Sequence, residues 1–288
     1  MGRRRIARLG SAFLLAAACM GAAAPGAFAQ TENLVFEAVR EHERGNLDQA
    51  LALLRRAVSS NPEHRFAAYA RNQIALILAK KGEIPQALEA FQEVHRLDPK
   101  NTFARLWMGI LQLKQGKLDK AFSEFQEVVR VDPQNADAYY YLGAIYNFRR
   151  NRRAAIEFLK KARDAGSDDP DTHFRLAQAF HNADMMENAL LEYQRTLDLN
   201  PRHTKAMNSM GWIYYNRGEM DRAVELWQGV RKLNPKDREA GFNLAKAFND
   251  LAWKHHQAGR REEARKYWRK TLEVDPENKA AKWNLSHL

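Results

Sequence analysis

Residues 204–237 read TKAMNSMGWIYYNRGEMDRAVELWQGVRKLNPKD. Gly211 and Ala223 stand twelve residues apart, Trp227 follows Ala223 by about one helical turn, and Pro235 closes the stretch. The arrangement recurs along the chain. Ala50, Ala87, Ala121, Ala155, Ala189, Ala223 and Ala264 are separated by 37, 34, 34, 34, 34 and 41 residues. Ahead of them runs a second small-residue series: Ala38, Ala75, Gly109, Gly143, Ala177, Gly211 and Ala245. Four residues after each alanine sits a bulky one: Leu54, Phe91, Phe125, Leu159, Tyr193, Trp227 and Trp268. Pro62, Pro99, Pro133, Pro201, Pro235 and Pro276 close their units, and Ser167 fills that slot in the fourth. A fixed period of about 20–50 residues marks a repeat architecture, in which each unit buries its apolar face only by stacking on the next.

The spacing has a mechanical cause. Small residues such as Gly109 and Ala121 let two helices of one unit approach closely. Phe125 lies on the same helical face as Ala121, since positions i and i+4 coincide, and is expected to fill space between adjacent units. Gly45, Gly82, Gly116, Gly218 and Gly259 fall in the turn between the helices, where a left-handed backbone suits glycine. Each closing proline sits where the second helix must stop.

The units resemble the tetratricopeptide repeat. The fourth carries Tyr139, Leu142, Gly143 and Tyr146 in its first half; the sixth carries Met207, Met210, Gly211 and Tyr214, then Ala223, Trp227 and Pro235. The resemblance runs from Thr31 to about Asn278. It implies an all-α fold, a right-handed α-solenoid of about seven helix pairs over residues 30–276. The units fall near 31–64, 65–101, 102–135, 136–169, 170–203, 204–237 and 238–278, with a capping helix over 277–288 around Ala280, Ala281, Trp283 and Leu285.

Two departures stand out. Unit seven has 19 residues where the other units have 12 in the corresponding interval, Ala245 to Ala264. The extra seven fall before Gly259 and are expected to lengthen its first helix by about two turns, a projection that carries Trp253, Lys254, His255 and His256 and continues into Arg260, Arg261, Arg265 and Lys266. In the fourth unit's turn, Arg149, Arg150, Arg152 and Arg153 replace the glycine-containing sequence. Four arginines so close repel one another unless something anionic answers them.

Residues 1–29 read as a secretory leader: Arg3, Arg4, Arg5 and Arg8, an apolar run from Leu9 to Ala18, and Ala27-Phe28-Ala29 as a cleavage site before Gln30. Export to the periplasm is the expectation. The alternative is a lipoprotein anchored through Cys19, although Ala16 stands where such leaders usually carry leucine. Membrane contact follows only if Cys19 is lipidated. Cys19 is the only cysteine, so no disulfide framework is available. Residues 30–201 carry 24 basic and 24 acidic side chains, and residues 202–288 carry 18 against 11. The excess of positive charge is therefore confined to the last third, which suits an acidic partner there.

In this family the first helix of each unit lines a concave groove, and five positions per helix face it. Carried onto this sequence, those positions include Tyr69, Asn72, Phe103, Leu106, Ile110, Tyr140, Asn147 and Phe148. They continue with Phe174, Gln178, His181, Asn182, Asn208, Trp212, Tyr215, Asn216, Phe242 and Asn249. Aromatic and amide side chains offer stacking area and adaptable hydrogen bonds to an extended peptide or a glycan. The family's clamp for a terminal carboxylate is absent, since Phe103 and Trp107, or Glu239 and Asn243, occupy its lysine and arginine places. No catalytic constellation emerges. His255 and His256 diverge by about 100° on a helix, Glu262 and Glu263 read as solvated charge, and no phosphate loop or zinc spacing is present. The expectation is a non-enzymatic protein–protein interaction scaffold of the bacterial cell envelope, without cofactor or metal. It would hold an extended segment in the groove and a second partner at the basic end. The alternative is a carbohydrate-binding module that guides an exported polysaccharide, and self-association through Trp283, Leu285 and Leu288 is a third. Nucleic acid is not an expected partner of an exported chain.

Overall fold

The computed structural model describes residues 27–63, 65–166 and 168–287. Most of the leader, with Cys19, lies outside the described residues, as do Ser167 and Leu288. Every regular element among the described residues is an α-helix, and none is long and apolar enough to cross a membrane. The chain divides into two compact units at Ser167, the slot where the fourth repeat lacks its proline.

The first unit holds four helix pairs: α1 (Ala27–Arg44) with α2 (Leu47–Ser60), α3 (Arg65–Lys81) with α4 (Ile84–Leu97), α5 (Thr102–Lys114) with α6 (Leu118–Val131), and α7 (Ala136–Phe148) with α8 (Arg152–Asp164). The second holds α9 (Pro170–Asn182) with α10 (Met186–Leu199), α11 (Thr204–Asn216) with α12 (Met220–Leu233), and α13 (Arg238–Gln257) with α14 (Arg261–Val274). A terminal helix, α15 (Lys279–His287), packs on α14. It buries Ala281 and Asn284, while Ala280 is exposed and Trp283 is 60% exposed. Of the four residues expected to close the stack, Trp283 and Ala280 therefore face outward, Trp283 stacking on His287 instead.

Two local devices build the pairs. Between the helices of a pair, a residue of positive φ ends the first helix, and the next N–H reaches back five residues. Lys117 N–H, for example, donates to the Gln112 carbonyl at 2.9 Å across Gly116, at φ 75°. This geometry ties off the last carbonyls of the helix. All five turn glycines singled out in the sequence adopt it, and Arg150 (φ 58°) and Asp184 (φ 57°) take the same conformation where glycine is missing. Between pairs, Asp98-Pro99-Lys100-Asn101 forms a tight turn in which Asn101 N–H donates to the Asp98 carbonyl at 3.0 Å. Proline presets the first turn position. The Asn101 side chain then accepts from Ala104 N–H and caps α5. Asn135, Asp237 and Asn278 repeat this cap on α7, α13 and α15.

The small-and-bulky pattern is the core. The seven periodic alanines and the seven bulky residues are all at most 1% exposed. Phe125 sits primarily against its own unit: a Cβ built on Gly109 would meet its ring at 2.7 Å. It also stacks on Tyr141 of the following pair, with ring centroids 4.9 Å apart, so it serves both contacts.

Candidate partner-binding surfaces

The first helices of the first unit place the expected groove residues unevenly. Leu106 and Ile110 are buried, in the continuous apolar core of that unit. Tyr69, Asn72, Phe103, Tyr140 and Asn147 are half-buried, and Phe148 is exposed. Phe103 leans on Phe91 and Trp107, while Tyr140 meets Tyr141 edge-on. Burial raises the pKa of the Tyr69 hydroxyl, which stays neutral. The arginine turn is only partly free. Arg149 pairs with Asp119 at 2.5 Å and lies over the Phe122 ring, so an anion within the fold answers it. Arg150, Arg152 and Arg153 are exposed.

In the second unit, Phe174 is buried between Tyr193 and His203, and Asn208 is buried with its side-chain oxygen unpartnered. These two, like Leu106, belong to the core rather than to a reachable groove. Their helical positions face inward because the packed seam is wider than the sequence pattern suggests. Gln178 and His181 are half-buried, and Asn182 and Asn216 exposed. Burial lowers the His181 pKa. Trp212 and Tyr215 are half-buried over Trp227, forming a three-ring cluster with centroids 5.3–5.9 Å apart.

Tyr215 reaches the next helix. Its hydroxyl donates to Asp250, Lys246 donates to it in turn, and the Lys246 ammonium lies 4.5 Å from the Tyr215 ring centre. Burial and the bond to Asp250 raise the Tyr215 pKa, and the bond to Tyr215 raises that of Lys246. The pair is therefore a neutral phenol and a fixed cation at neutral pH.

Lys246 and Asp250 were not among the expected residues, although the even 34-residue spacing puts them level with Trp212 and Asn216. At 20 residues α13 exceeds α11 by seven, as the spacing predicts. The pairing differs. Each bulky residue faces a small one sixteen positions earlier: Phe125 faces Gly109, Leu159 faces Gly143, and Trp227 faces Gly211. Sixteen before Trp268 is Ala252, not Ala245, and Ala252 shares the buried cluster of Ala264, Trp268 and Ala281. Two tryptophan contacts agree. Trp227 Nε1–H donates to the Asn208 carbonyl, and Trp268 Nε1–H donates to Asn249 Oδ1 at 3.0 Å, each across nineteen residues. Trp212 packs on Trp227 with centroids 5.6 Å apart, as Trp253 does on Trp268. So α14 is set back along α13 by about two turns, roughly 10 Å.

By its contacts, then, Trp253 is the counterpart of the half-buried Trp212 ring on α11, where the even 34-residue spacing would put Lys246. Trp253 is 39% exposed, while Phe242, 67% exposed, stands on the added start of α13. Asn249 keeps its place on the face but its oxygen is committed to Trp268. The end of α13 that was expected to project does not, because the added residues lie at its start: His255 stacks on Tyr267 and His256 packs against both Trp253 and Trp268. Arg260, Arg261 and Lys266 are exposed beside it, and Arg265 is half-buried. No group of acidic, histidine or cysteine side chains suited to a metal occurs among the described residues.

The tetratricopeptide repeat pattern matches residues 78–145 and 112–179, residues 38–102 and 174–237, and residues 245–278. The chain belongs to the tetratricopeptide repeat family. The last match begins at Ala245, the residue that puts Ala252 opposite Trp268, and so agrees with the set-back pairing. Among solved tetratricopeptide structures, the C-terminal part of a repeat protein from Cytophaga hutchinsonii is 17% identical. It covers 87% of this chain and 99% of its own, at a TM-score of 0.65. PilF of Pseudomonas aeruginosa is 17% identical over 77% of this chain and 100% of its own, at 0.67. YrrB, described as having an unusual peptide-binding site, is 23% identical over 68% and 97%, at 0.55. These likenesses are likenesses of fold. No curated protein matches significantly. Tetratricopeptide proteins are generally non-catalytic scaffolds for protein–protein interaction.

Proposed function

We propose that the protein is a non-enzymatic scaffold of the bacterial cell envelope, exported by its leader, that holds an extended peptide segment along the first-helix face of its second unit. The observation that carries this reading is the cluster of Trp212, Tyr215, Lys246 and Asp250. It combines half-exposed rings with a fixed cation and a carboxylate, each already oriented by the others. Such a surface stacks on apolar side chains and pairs with main-chain amides without reorganising. Exposed Trp253 extends it. A second partner is assigned to the basic C-terminal end, where positive charge exceeds negative. The periplasmic location rests on the sequence of residues 1–29.

The test is capture of partners from the cell envelope by the mature protein, with Trp212→Ala/Tyr215→Ala alongside. Selective loss of a protein partner by the double variant, at unchanged stability, supports the peptide groove. Full retention overturns it. Retention of glycan alone transfers the assignment to an exported polysaccharide.

A further inference from the structure

The set-back of α14 has a second effect, on the opposite end of α14 from Arg260 and Arg261. The start of α13 runs past the end of α14, whose last residue, Val274, reaches only as far as Gly241. A cleft of about 480 Å³ opens there between the C-terminal ends of α12 and α14. Leu244 and Phe248 of α13 form its floor, and Pro235 and Val274 add apolar walls. Arg231, Lys232 and Lys270 stand on its rim beside Gln228 and a single acid, Glu273. None of the three cations has an ion-pair partner among the described residues; Lys270 rests over the Phe248 and Tyr267 rings. Gly241 matters to this arrangement: a Cβ there would stand 2.8 Å from Arg231 Nη1, so the missing side chain is the space the guanidinium occupies.

We propose that this cleft is a binding site for an acidic peptide segment carrying one apolar anchor side chain. The volume falls within the range of a specific ligand pocket, about 300–1,000 Å³. Three unanswered cations against one acid select negative charge, and the apolar walls select an anchor that a simple polyanion lacks. An anionic polysaccharide would meet the rim but leave the walls empty. The inference rests on the reading that the C-terminal end holds a second partner, and gives that partner its place and chemistry. It is independent of the first-helix face.

The experiment is fluorescence anisotropy on the full chain, with a short labelled peptide of one phenylalanine flanked by aspartates and glutamates. Binding should weaken about tenfold or more with Arg231→Glu/Lys270→Glu, and by a similar factor when serine replaces the phenylalanine. Gly241→Ala keeps every charge and favours the helix, yet displaces the guanidinium, so it should also weaken binding while the melting temperature holds. Trp212→Ala/Tyr215→Ala should bind normally. Equal binding of the peptide without phenylalanine overturns the cleft in favour of a plain charged patch. Loss with Arg260→Glu/Arg261→Glu but not with the cleft variants keeps a second partner and overturns its placement. Loss only with Trp212→Ala/Tyr215→Ala overturns the cleft and supports the groove. Absence of binding overturns the proposal as well.

Discussion

Gly211 and Trp227 occupy each other's space: a Cβ built on Gly211 would fall 2.5 Å from the indole nitrogen. The indole in turn donates to the Asn208 carbonyl, one turn before the glycine. Adding a methyl group therefore forces apart the helix pair that the indole locks. Gly211→Ala gains about 1 kcal/mol of helix propensity against an overpacking cost of roughly 1–3 kcal/mol, and should lower the urea midpoint. In a Trp227→Leu background the same change should be neutral or stabilising. A double-mutant cycle with no coupling would refute the pairing.

Arg150 and Asp184 hold the left-handed turn conformation at φ 58° and 57°. That conformation costs an ordinary residue roughly 1–2 kcal/mol, and aspartate tolerates it better than arginine. Arg150→Gly should therefore stabilise its unit by about 1 kcal/mol and Asp184→Gly by less. Chemical denaturation of each variant gives the order directly.

Asn249 and Asn208 hold equivalent places but bond differently. Asn249→Ala removes the acceptor of the Trp268 indole and should cost about 1–3 kcal/mol, the penalty of a buried unmatched donor. Asn208→Ala leaves the main-chain acceptor of Trp227 in place and should cost less. Reversal of that order in thermal melts would count against the equivalence.

Burial lowers the pKa of His181, and burial with the nearby Lys80 lowers that of His42. With the folded pKa below the unfolded value of about 6.5, the unfolded chain binds more protons as pH falls. Stability should be level above about pH 7 and decline below about 6.5, down through the depressed folded values. His42→Gln/His181→Gln should flatten that slope when denaturation is followed between about pH 5 and 7.5, clear of the carboxylates.

Fold and site were legible to different depths. The period, the buried alanines and the left-handed glycines follow from local chemistry repeated many times, and the sequence displays them. The pairing of unit seven does not follow so simply. Seven residues turn a helix through about 700°, only about 20° short of two full turns. Ala245 and Ala252 thus share a face, and nothing in the spacing of small residues distinguishes them; the sixteen-residue interval back from Trp268 does. Burial of Leu106, Phe174 and Asn208 was hidden for a different reason. A family position names a direction from the helix axis, whereas exposure depends on how deeply neighbours close over it. The cleft at Gly241 depends on contacts between helices far apart in sequence, which no local pattern records.

An array of identical units has no origin. A ligand that fits one unit fits the next, and an elongated partner can slide by one repeat at little cost. The seven added residues occur once, and from the second unit onward they put one mismatch of about two turns into an otherwise even succession. Any partner that touches both sides of that mismatch has a single place to lie, so the start of α13 works as the zero mark on a ruler. Removing residues 238–244 would even out the graduation from the second unit onward, and the loss would show as a partner bound in several alignments rather than one.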